Sequence, residues 1–166
     1  MSDSISHRGP DQGNIWTDCQ NGIAFGHRRL SIVDLSEKGN QPMISSSGRF
    51  VISYNGEIYN HLEIRSYLEK KKNIRWKSTT DTETILESIE VFGVNETVKR
   101  LQGMFAFCII DIKNNLLYLA RDSFGEKPVY YGFSNNNFIF ASELKGIISF
   151  PNFEKKICKK SLNYYF

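Results

Sequence analysis

Cysteine is scarce in this sequence, and its spacing excludes two kinds of fold. The 166 residues include three cysteines, at Cys19, Cys108 and Cys158. An odd number without Cys-x-x-Cys spacing indicates neither a disulfide framework nor a zinc site, and the histidines are too scattered for a local metal motif. Cys108 falls in the wholly apolar run of residues 105–110, which is typical of a strand buried on both faces. We therefore expect no metal and a reduced, cytoplasmic setting.

Long apolar runs and a basic surface stripe are also missing. No apolar run approaches the ~20 residues that a membrane-spanning helix needs, and residues 1–6 lack the basic and apolar regions of a signal peptide. The net charge is +3, and the lysines cluster in residues 70–72 and 155–160. A nucleic-acid surface would instead alternate basic residues with exposed aromatics. These absences predict a soluble protein without membrane or nucleic-acid partners.

What the sequence does contain is the pattern of one α+β domain. Its length suffices for a single domain with a proper core. Helical periodicity predicts helices over residues 60–72, 82–92 and 95–101. Strand-like runs occupy residues 22–27, 50–54, 74–77, 104–111, 116–121, 129–133 and 138–142, the last four as an antiparallel meander. Helices grouped between strands favour an α+β layered sandwich over a Rossmann-type alternation.

One junction between a predicted strand and a predicted helix offers ligand-binding groups. Asn55 and Gly56 follow the strand that ends at Tyr54, and this dipeptide accepts positive φ at little steric cost. Asn60 with Glu63 three residues later predicts an N-cap and a capping box. The junction would present one side-chain amide and one glycine N–H, which suits an oxyanion hole. An ordinary turn is the simpler interpretation of this segment alone.

Arg29 and Asp81 are also placed where a scaffold presents side chains to a ligand, after a strand and before a helix. An arginine fork holds a carboxylate bidentately, and an aspartate accepts from an ammonium group, so the pair fits a free amino acid. Attack on a side-chain amide of that ligand would form an oxyanion for Asn55 and Gly56 to stabilise. The pattern is suited to free glutamine. Taken singly, Arg29 is more simply a surface or ion-paired arginine, and Asp81 the N-cap of its helix.

Seven motifs in order extend this pattern over essentially the whole chain. They are HRGPD at residues 7–11, GHRRLSIVD at 26–34, NGEIYN at 55–60, STTDTE at 78–83, LQGMFAF at 101–107, RDSFGEKPVYYG at 121–132 and FASELK at 140–145. Together they resemble the N-terminal glutaminase domain of glutamine-hydrolysing asparagine synthetases, a class II, N-terminal-nucleophile glutamine amidotransferase. The related sugar-phosphate and phosphoribosyl amidotransferases carry a different loop at residues 55–60, which favours the asparagine synthetase branch.

The resemblance implies a fold, a reaction and partners. It predicts a four-layer αββα sandwich of the N-terminal-nucleophile hydrolase type, with the glutaminase domain in residues 1–150 and the start of an interdomain linker in residues 151–166. The implied reaction is hydrolysis of L-glutamine to supply ammonia, which a synthetase domain or subunit uses for ATP-dependent amidation of aspartate. ATP and Mg²⁺ are expected only for that synthetase part, and no cofactor is expected in this chain.

By the same resemblance, five residues receive roles. Asn55 and Gly56 would form the oxyanion hole. Arg29 would hold the glutamine carboxylate, and Glu57 and Asp81 would contact the amino-acid end. The role of Glu57 rests on the resemblance only, whereas the other four agree with the reasoning from residue chemistry.

Two departures from the family pattern bear on activity. The family's nucleophile is an N-terminal cysteine, preceding a strand and a helix, whereas this sequence begins Met1-Ser2 shortly before HRGPD. Neither Ser2 nor the mid-chain Cys19 is expected to replace it. The Gly-rich nucleotide loop of the synthetase part is absent as well. We expect a truncated chain that is inactive alone, the alternatives being a non-catalytic glutamine-binding or interaction module and a remnant without function.

Overall fold

The computed structural model of the chain describes residues 1–30 and 37–165. The strands are β1 (Gln12–Asp18), β2 (Ile23–Arg29), β3 (Met43–Ile44), β4 (Phe50–Ile58), β5 (Gly103–Asp111), β6 (Leu116–Arg121), β7 (Tyr130–Ser134) and β8 (Asn137–Ala141). The α-helices are α1 (His61–Lys71), α2 (Asp81–Phe92), α3 (Val94–Val98), α4 (Leu144–Ile148) and α5 (Lys159–Tyr165). Short 3₁₀ segments cover Asp3–Arg8 and Glu37–Gly39. The last part of the GHRRLSIVD motif, residues 31–34, lies outside the described residues.

Three antiparallel sheets form the framework of the described chain. β3, β4, β5 and β6 pair in that order, while β1-β2 and β7-β8 form separate hairpins. The predicted meander of the last four strands is therefore wrong at one step, because β6 and β7 belong to different sheets. The chain turns between them at Asp122, whose buried carboxylate accepts hydrogen bonds from the N–H groups of Phe124, Glu126 and Lys127.

Helices cover one face of the four-stranded sheet. α1 packs on it through Ile64 and Leu68, and α2 packs through Ile85, Leu86 and Ile89. α2 lies where the periodicity predicts it and ends at its C-cap glycine, as the helical pattern indicates. This helix–sheet interface forms the larger of the two hydrophobic clusters among the described residues.

The two hairpins pack on the opposite face of the sheet. Phe25 of β2 is buried with Val51, Cys108 and Ile110, and Phe140 of β8 meets the Phe25 ring edge to face at 5.5 Å. β5 is thus buried on both faces, as its apolar run predicts, and Cys108 is a core residue. Helices, four-stranded sheet and hairpins form successive layers, which confirms the α+β class.

β4 continues through Ile58, whereas the sequence predicts a loop from residue 55 onward. Residues 55–57 pair with residues 104–106 of β5. Gly56 is needed for close approach rather than for positive φ, because a Cβ there would collide with the carbonyl oxygen of Met104. Pairing with a neighbouring strand has overridden the turn propensity of the Asn-Gly dipeptide.

Asn60 connects distant parts of the chain and does not form the predicted capping box with Glu63. Its side chain makes no hydrogen bond that caps α1. Instead Asn60 Nδ2 donates to Arg100 O at 3.0 Å, and Asn60 Oδ1 accepts from Gln102 N at 3.1 Å. Hydrogen bonds thereby join the segment between β4 and α1 to the residues that precede β5.

The segment before α2 is not the strand predicted over residues 74–77. Glu83 accepts the N–H groups of Lys77 at 2.8 Å and Ser78 at 2.7 Å, so a side chain of the following helix takes the place of a neighbouring strand. α3 begins at Val94, one residue before the predicted start. The structure also contains β1, which the sequence pattern did not predict because alternate residues there are polar.

Candidate active site

The side chains on the inner face of β2 extend from the hydrophobic core to the candidate site. Alternate residues of a strand share a face, so Phe25, His27 and Arg29 form one row. Phe25 lies in the core, and His27 Nδ1 lies 3.4 Å from Ser53 Oγ of β4. Burial and the nearby charge of Arg29 lower the pKa of His27 to about 4. The row therefore carries Arg29 past Ser53 toward the end of β4 that contains Asn55.

Arg29 is held beside the start of α2. Its Nη1 donates to Asn40 Oδ1 at 2.9 Å. Its guanidinium also lies against Gly39, where a Cβ would collide with Arg29 Nη2 and would lie 3.2 Å from Thr80 Cγ2. Thr80, rather than Asp81, is the N-cap residue of α2. The absence of a side chain at Gly39 thus lets Arg29 approach the helix end that carries Asp81.

Asp81 joins the first turn of α2 to β4. Its Oδ2 accepts hydrogen bonds from the Tyr54 hydroxyl at 2.6 Å and from Ile58 N at 2.9 Å. Burial raises the pKa of Tyr54 far above its usual range, and the Asp81 carboxylate adds to the shift. The phenol therefore remains a hydrogen-bond donor at any pH at which the protein is handled.

The backbone N–H of Gly56 lies on an edge of β4 that β3 leaves uncovered. β3 pairs only with Val51 and Ile52. Beyond that point, Tyr54 N donates to Gln41 Oε1 at 2.6 Å, and Ile58 N donates to Asp81. Amide directions alternate along an antiparallel strand, so the Gly56 N–H points to this same edge. Among the described residues, the N–H groups of Tyr54 and Ile58, two positions before and after Gly56, have acceptors, but the N–H of Gly56 has none.

Asn55 contributes a second donor next to this amide. Its Nδ2 is buried and has no hydrogen-bond partner within the described part of the chain. Because buried polar groups in proteins are almost always hydrogen-bonded, such an atom needs an explanation. Asn55 and Gly56 together offer two donors without acceptors, in consecutive residues of a paired strand.

Glu57 occupies the same face of β4 as Asn55, and it is exposed. No hydrogen bond or ion pair joins its carboxylate to another described side chain. The structure thus places Arg29 beside the helix end that carries Asp81, and Asp81 is hydrogen-bonded to Tyr54 and Ile58, which lie two positions before and after Gly56. Glu57 makes no such contact among the described residues.

Cys19 lies far from these donors. The β1–β2 register pairs Gln12 with Arg29 and Asp18 with Ile23, so the two ends of the hairpin are the Arg29 end and the Cys19 end. At ~3.3 Å per residue, the length of the hairpin separates Cys19 from Arg29 by about 20 Å. Cys19 therefore takes no part in this site.

Other candidate nucleophiles are also misplaced. Cys108 is 1% exposed, and burial raises the pKa of its thiol, which keeps it protonated and unreactive. Ser2 lies beside Gly26, where a Cβ would be 3.1 Å from Ser2 Cβ. Gly26 faces away from the side of β2 that carries His27. Cys19, Cys108 and Ser2 are therefore not placed to attack a ligand held by Asn55 and Gly56.

Sequence reasoning missed the residues that organise the site. Gly39, Asn40 and Gln41 join Arg29 to α2 and occupy the β4 edge, and the Tyr54 hydroxyl orients Asp81. Each of these contacts links residues at least 10 positions apart. No local pattern could have revealed them.

A comparison with protein families decides the assignment. A family model described as a glutamine amidotransferase domain matches residues 1–166. The chain belongs to this family. The glutamine-hydrolyzing asparagine synthetases 3 and 1 of Bacillus subtilis are 38% and 40% identical to the amidotransferase domain, over 100% and 99% of its length. The domain spans only 26% and 25% of the length of these relatives.

The fold of this amidotransferase domain also matches a solved structure. Glutamine phosphoribosylpyrophosphate amidotransferase from B. subtilis superimposes with a TM-score of 0.71 at 22% identity, covering 88% of this chain and 38% of that one. The predicted α+β sandwich of the N-terminal-nucleophile hydrolase type is thereby confirmed. Among the described helices, none combines the length and apolar character required to cross a bilayer.

Proposed function

We propose that this chain forms the glutamine site of an asparagine-synthetase-like amidotransferase. It binds L-glutamine and stabilises the oxyanion formed when the side-chain amide is hydrolysed. The ammonia released serves a synthetase domain or subunit that amidates aspartate with ATP. The observation that carries the proposal is the buried Asn55 Nδ2, which has no hydrogen-bond partner among the described residues and lies beside the Gly56 N–H on the uncovered edge of β4.

The two donors explain why a polar ligand atom belongs at this point. Leaving a buried donor unpaired costs about 1–3 kcal/mol, which an oxygen supplied by a ligand recovers. Donors that are fixed before the reaction stabilise a developing oxyanion without reorganisation. Both donors belong to β4, and the pairing of residues 55–57 with β5 keeps them in place.

The charged residues suit the amino-acid end of glutamine. Arg29 offers a guanidinium beside the N-terminal end of α2, where a carboxylate is favoured by both the arginine and the helix dipole. Asp81 offers a carboxylate to the α-ammonium group. Glu57, which follows Gly56 on β4, provides a second carboxylate. The guanidinium and the two carboxylates would orient the charged end of a zwitterion, with its amide toward Asn55.

The reaction needs a nucleophile that these residues do not supply. A thiolate adds to the amide carbon, and the amide nitrogen takes up a proton and leaves as ammonia. Water then hydrolyses the resulting thioester to glutamate and restores the thiol. Cys19 is distant, Cys108 is buried, and the hydrogen bonds of Cys158 stay within residues 158–162. We propose that the thiolate comes from outside this sequence and that this chain alone does not hydrolyse glutamine. A glutamine-binding module without catalysis is the second candidate, and the same placement of the cysteines favours it.

Titration calorimetry with L-glutamine tests the proposed function. We expect saturable binding that Asn55→Ala weakens and that Cys19→Ala leaves unchanged. Asn95→Ala is the matched control, because Asn95 is exposed on α3. Absence of glutamine binding by the unsubstituted chain would contradict the proposal, and ammonia release by this chain alone would contradict the external origin of the thiolate.

A further inference from the structure

We propose that Tyr54 is a positioning residue that orients the Asp81 carboxylate, so that Asp81 Oδ1 receives the α-ammonium group of free glutamine. The inference rests on the proposed function and deepens it, because it names the element that selects a ligand with a free α-ammonium group. Tyr54 itself does not touch the ligand.

The geometry of the Tyr54–Asp81 contact fixes one carboxylate oxygen. Tyr54 is 3% exposed, and its ring packs in the core between the sheet and the helices. Its hydroxyl and Ile58 N both donate to Asp81 Oδ2, at 2.6 Å and 2.9 Å. One donor is a side chain and the other is backbone, and both belong to β4. The carboxylate is therefore held in a single orientation relative to that strand, with Oδ1 as the oxygen left to a ligand.

A separate set of contacts fixes the backbone that carries Asp81. Arg65 of α1 donates from Nη1 to Ser78 O at 2.9 Å and from Nη2 to Thr80 O at 2.7 Å. These bonds hold the residue immediately before Asp81. The backbone position thus depends on Arg65, and the orientation of the carboxylate depends on Tyr54.

Placing Tyr54 and Gly56 on one strand has a consequence for substrate selection. Tyr54 and Gly56 are two residues apart on β4, so the strand and the buried Tyr54 ring together set the separation of the hydroxyl from the N–H that faces the oxyanion. A ligand that meets both Asp81 Oδ1 and the Gly56 N–H needs ammonium and amide groups spaced as in glutamine. Loss of the hydroxyl frees the carboxylate to rotate and weakens only the interaction with the ammonium group.

A ligand pair separates this positioning role from general stability. The test measures binding of L-glutamine and of 4-carbamoylbutanoate, which is glutamine without its α-ammonium group, to the unsubstituted chain and to Tyr54→Phe. We expect Tyr54→Phe to weaken glutamine binding about tenfold, the equivalent of one hydrogen bond to a charged group, and to change binding of the analogue less than about twofold. Tyr118→Phe removes a hydroxyl from β6 and serves as the control, with both affinities unchanged.

The outcomes distinguish this inference from the proposed function. Equal weakening of both ligands by Tyr54→Phe, or unchanged glutamine affinity, would overturn the positioning role while leaving the glutamine site intact. Failure of the unsubstituted chain to bind glutamine would overturn the proposed function and the inference together. Thermal unfolding of each variant shows that the comparison is made between folded proteins.

Discussion

The guanidinium of Arg65 lies 4.1 Å above the ring of Trp76 and donates three hydrogen bonds to residues that follow Trp76 in the chain. One goes to Thr84 Oγ1 at 2.8 Å in α2, and two go to the carbonyl oxygens of Ser78 and Thr80. A single side chain of α1 therefore stabilises the segment that precedes α2 by hydrogen bonds. The predicted strand over residues 74–77 is replaced by this arrangement.

Removing the Arg65 guanidinium should destabilise the protein. Arg65→Met keeps the apolar stem but removes three hydrogen bonds from the guanidinium, and we expect the free energy of unfolding to fall by about 2–4 kcal/mol. Urea denaturation followed by circular dichroism measures it. Arg75→Met is the control, because Arg75 is exposed, and it should change the free energy by less than about 0.5 kcal/mol. Equal effects of the two substitutions would show that the contacts of Arg65 carry no net stability.

Two strand glycines should respond in opposite ways to alanine. At Gly56 a Cβ would meet backbone atoms of β5, so Gly56→Ala must separate β4 from β5, and we expect a loss of about 1–3 kcal/mol. At Gly132 of β7 a Cβ meets no atom within 4 Å, so Gly132→Ala should be neutral or stabilising by up to about 1 kcal/mol. Thermal unfolding of both variants tests the contrast. A Gly56→Ala variant as stable as the unsubstituted chain would contradict the pairing of β4 with β5.

His27 should make stability depend on pH. Its pKa falls from 6.5 to about 4 on folding, so between these values the unfolded chain binds more protons. Stability is then greatest above pH 6.5 and declines as the pH falls toward 4, by up to about 3 kcal/mol in total. Urea denaturation at pH 7, 6 and 5 should show the decline, and His27→Gln should flatten it.

The carboxylates leave this pH window clear. Hydrogen bonds from Arg8 and His7 lower the pKa of Glu143 to about 2. A carboxyl group whose pKa is lowered on folding contributes stability above its ordinary pKa near 4.5, and this contribution is lost only as the pH falls toward 2. We therefore attribute the change in the free energy of unfolding between pH 7 and 5 to His27. A slope that persists in His27→Gln would assign it to another group.

The sequence predicts the elements whose signals are local. α2 follows from its apolar spacing and from Gly93, and β6 has the predicted bounds. β5 follows from an apolar run that suits burial on both faces. In each case the side chains that determine the element lie within it.

Errors occur where the deciding partner is distant in sequence. Asn55-Gly56 is a favourable turn dipeptide, yet pairing with residues 105 and 106 makes it part of a strand. Asn60 has the spacing of a capping box with Glu63, yet its partners are 40 and 42 residues away. The roles predicted for Arg29, Asn55, Gly56, Glu57 and Asp81 stay predictions, and the contacts that would support them were beyond the reach of sequence reasoning.

The position of β4 between helices and hairpins ties the chemistry to the stability of the whole domain. Ile52, Tyr54 and Ile58 point into the helical core, while Asn55 alternates to the other face. A slip of β4 by one residue against β5 would turn Asn55 into the helical core and turn Ile52, Tyr54 and Ile58 toward the hairpin face. The two donors cannot shift gradually, because any change of register between β4 and β5 also disrupts the packing of the core. Loss of the site is therefore all-or-none, and substitutions in the core are as able to abolish it as substitutions at Asn55.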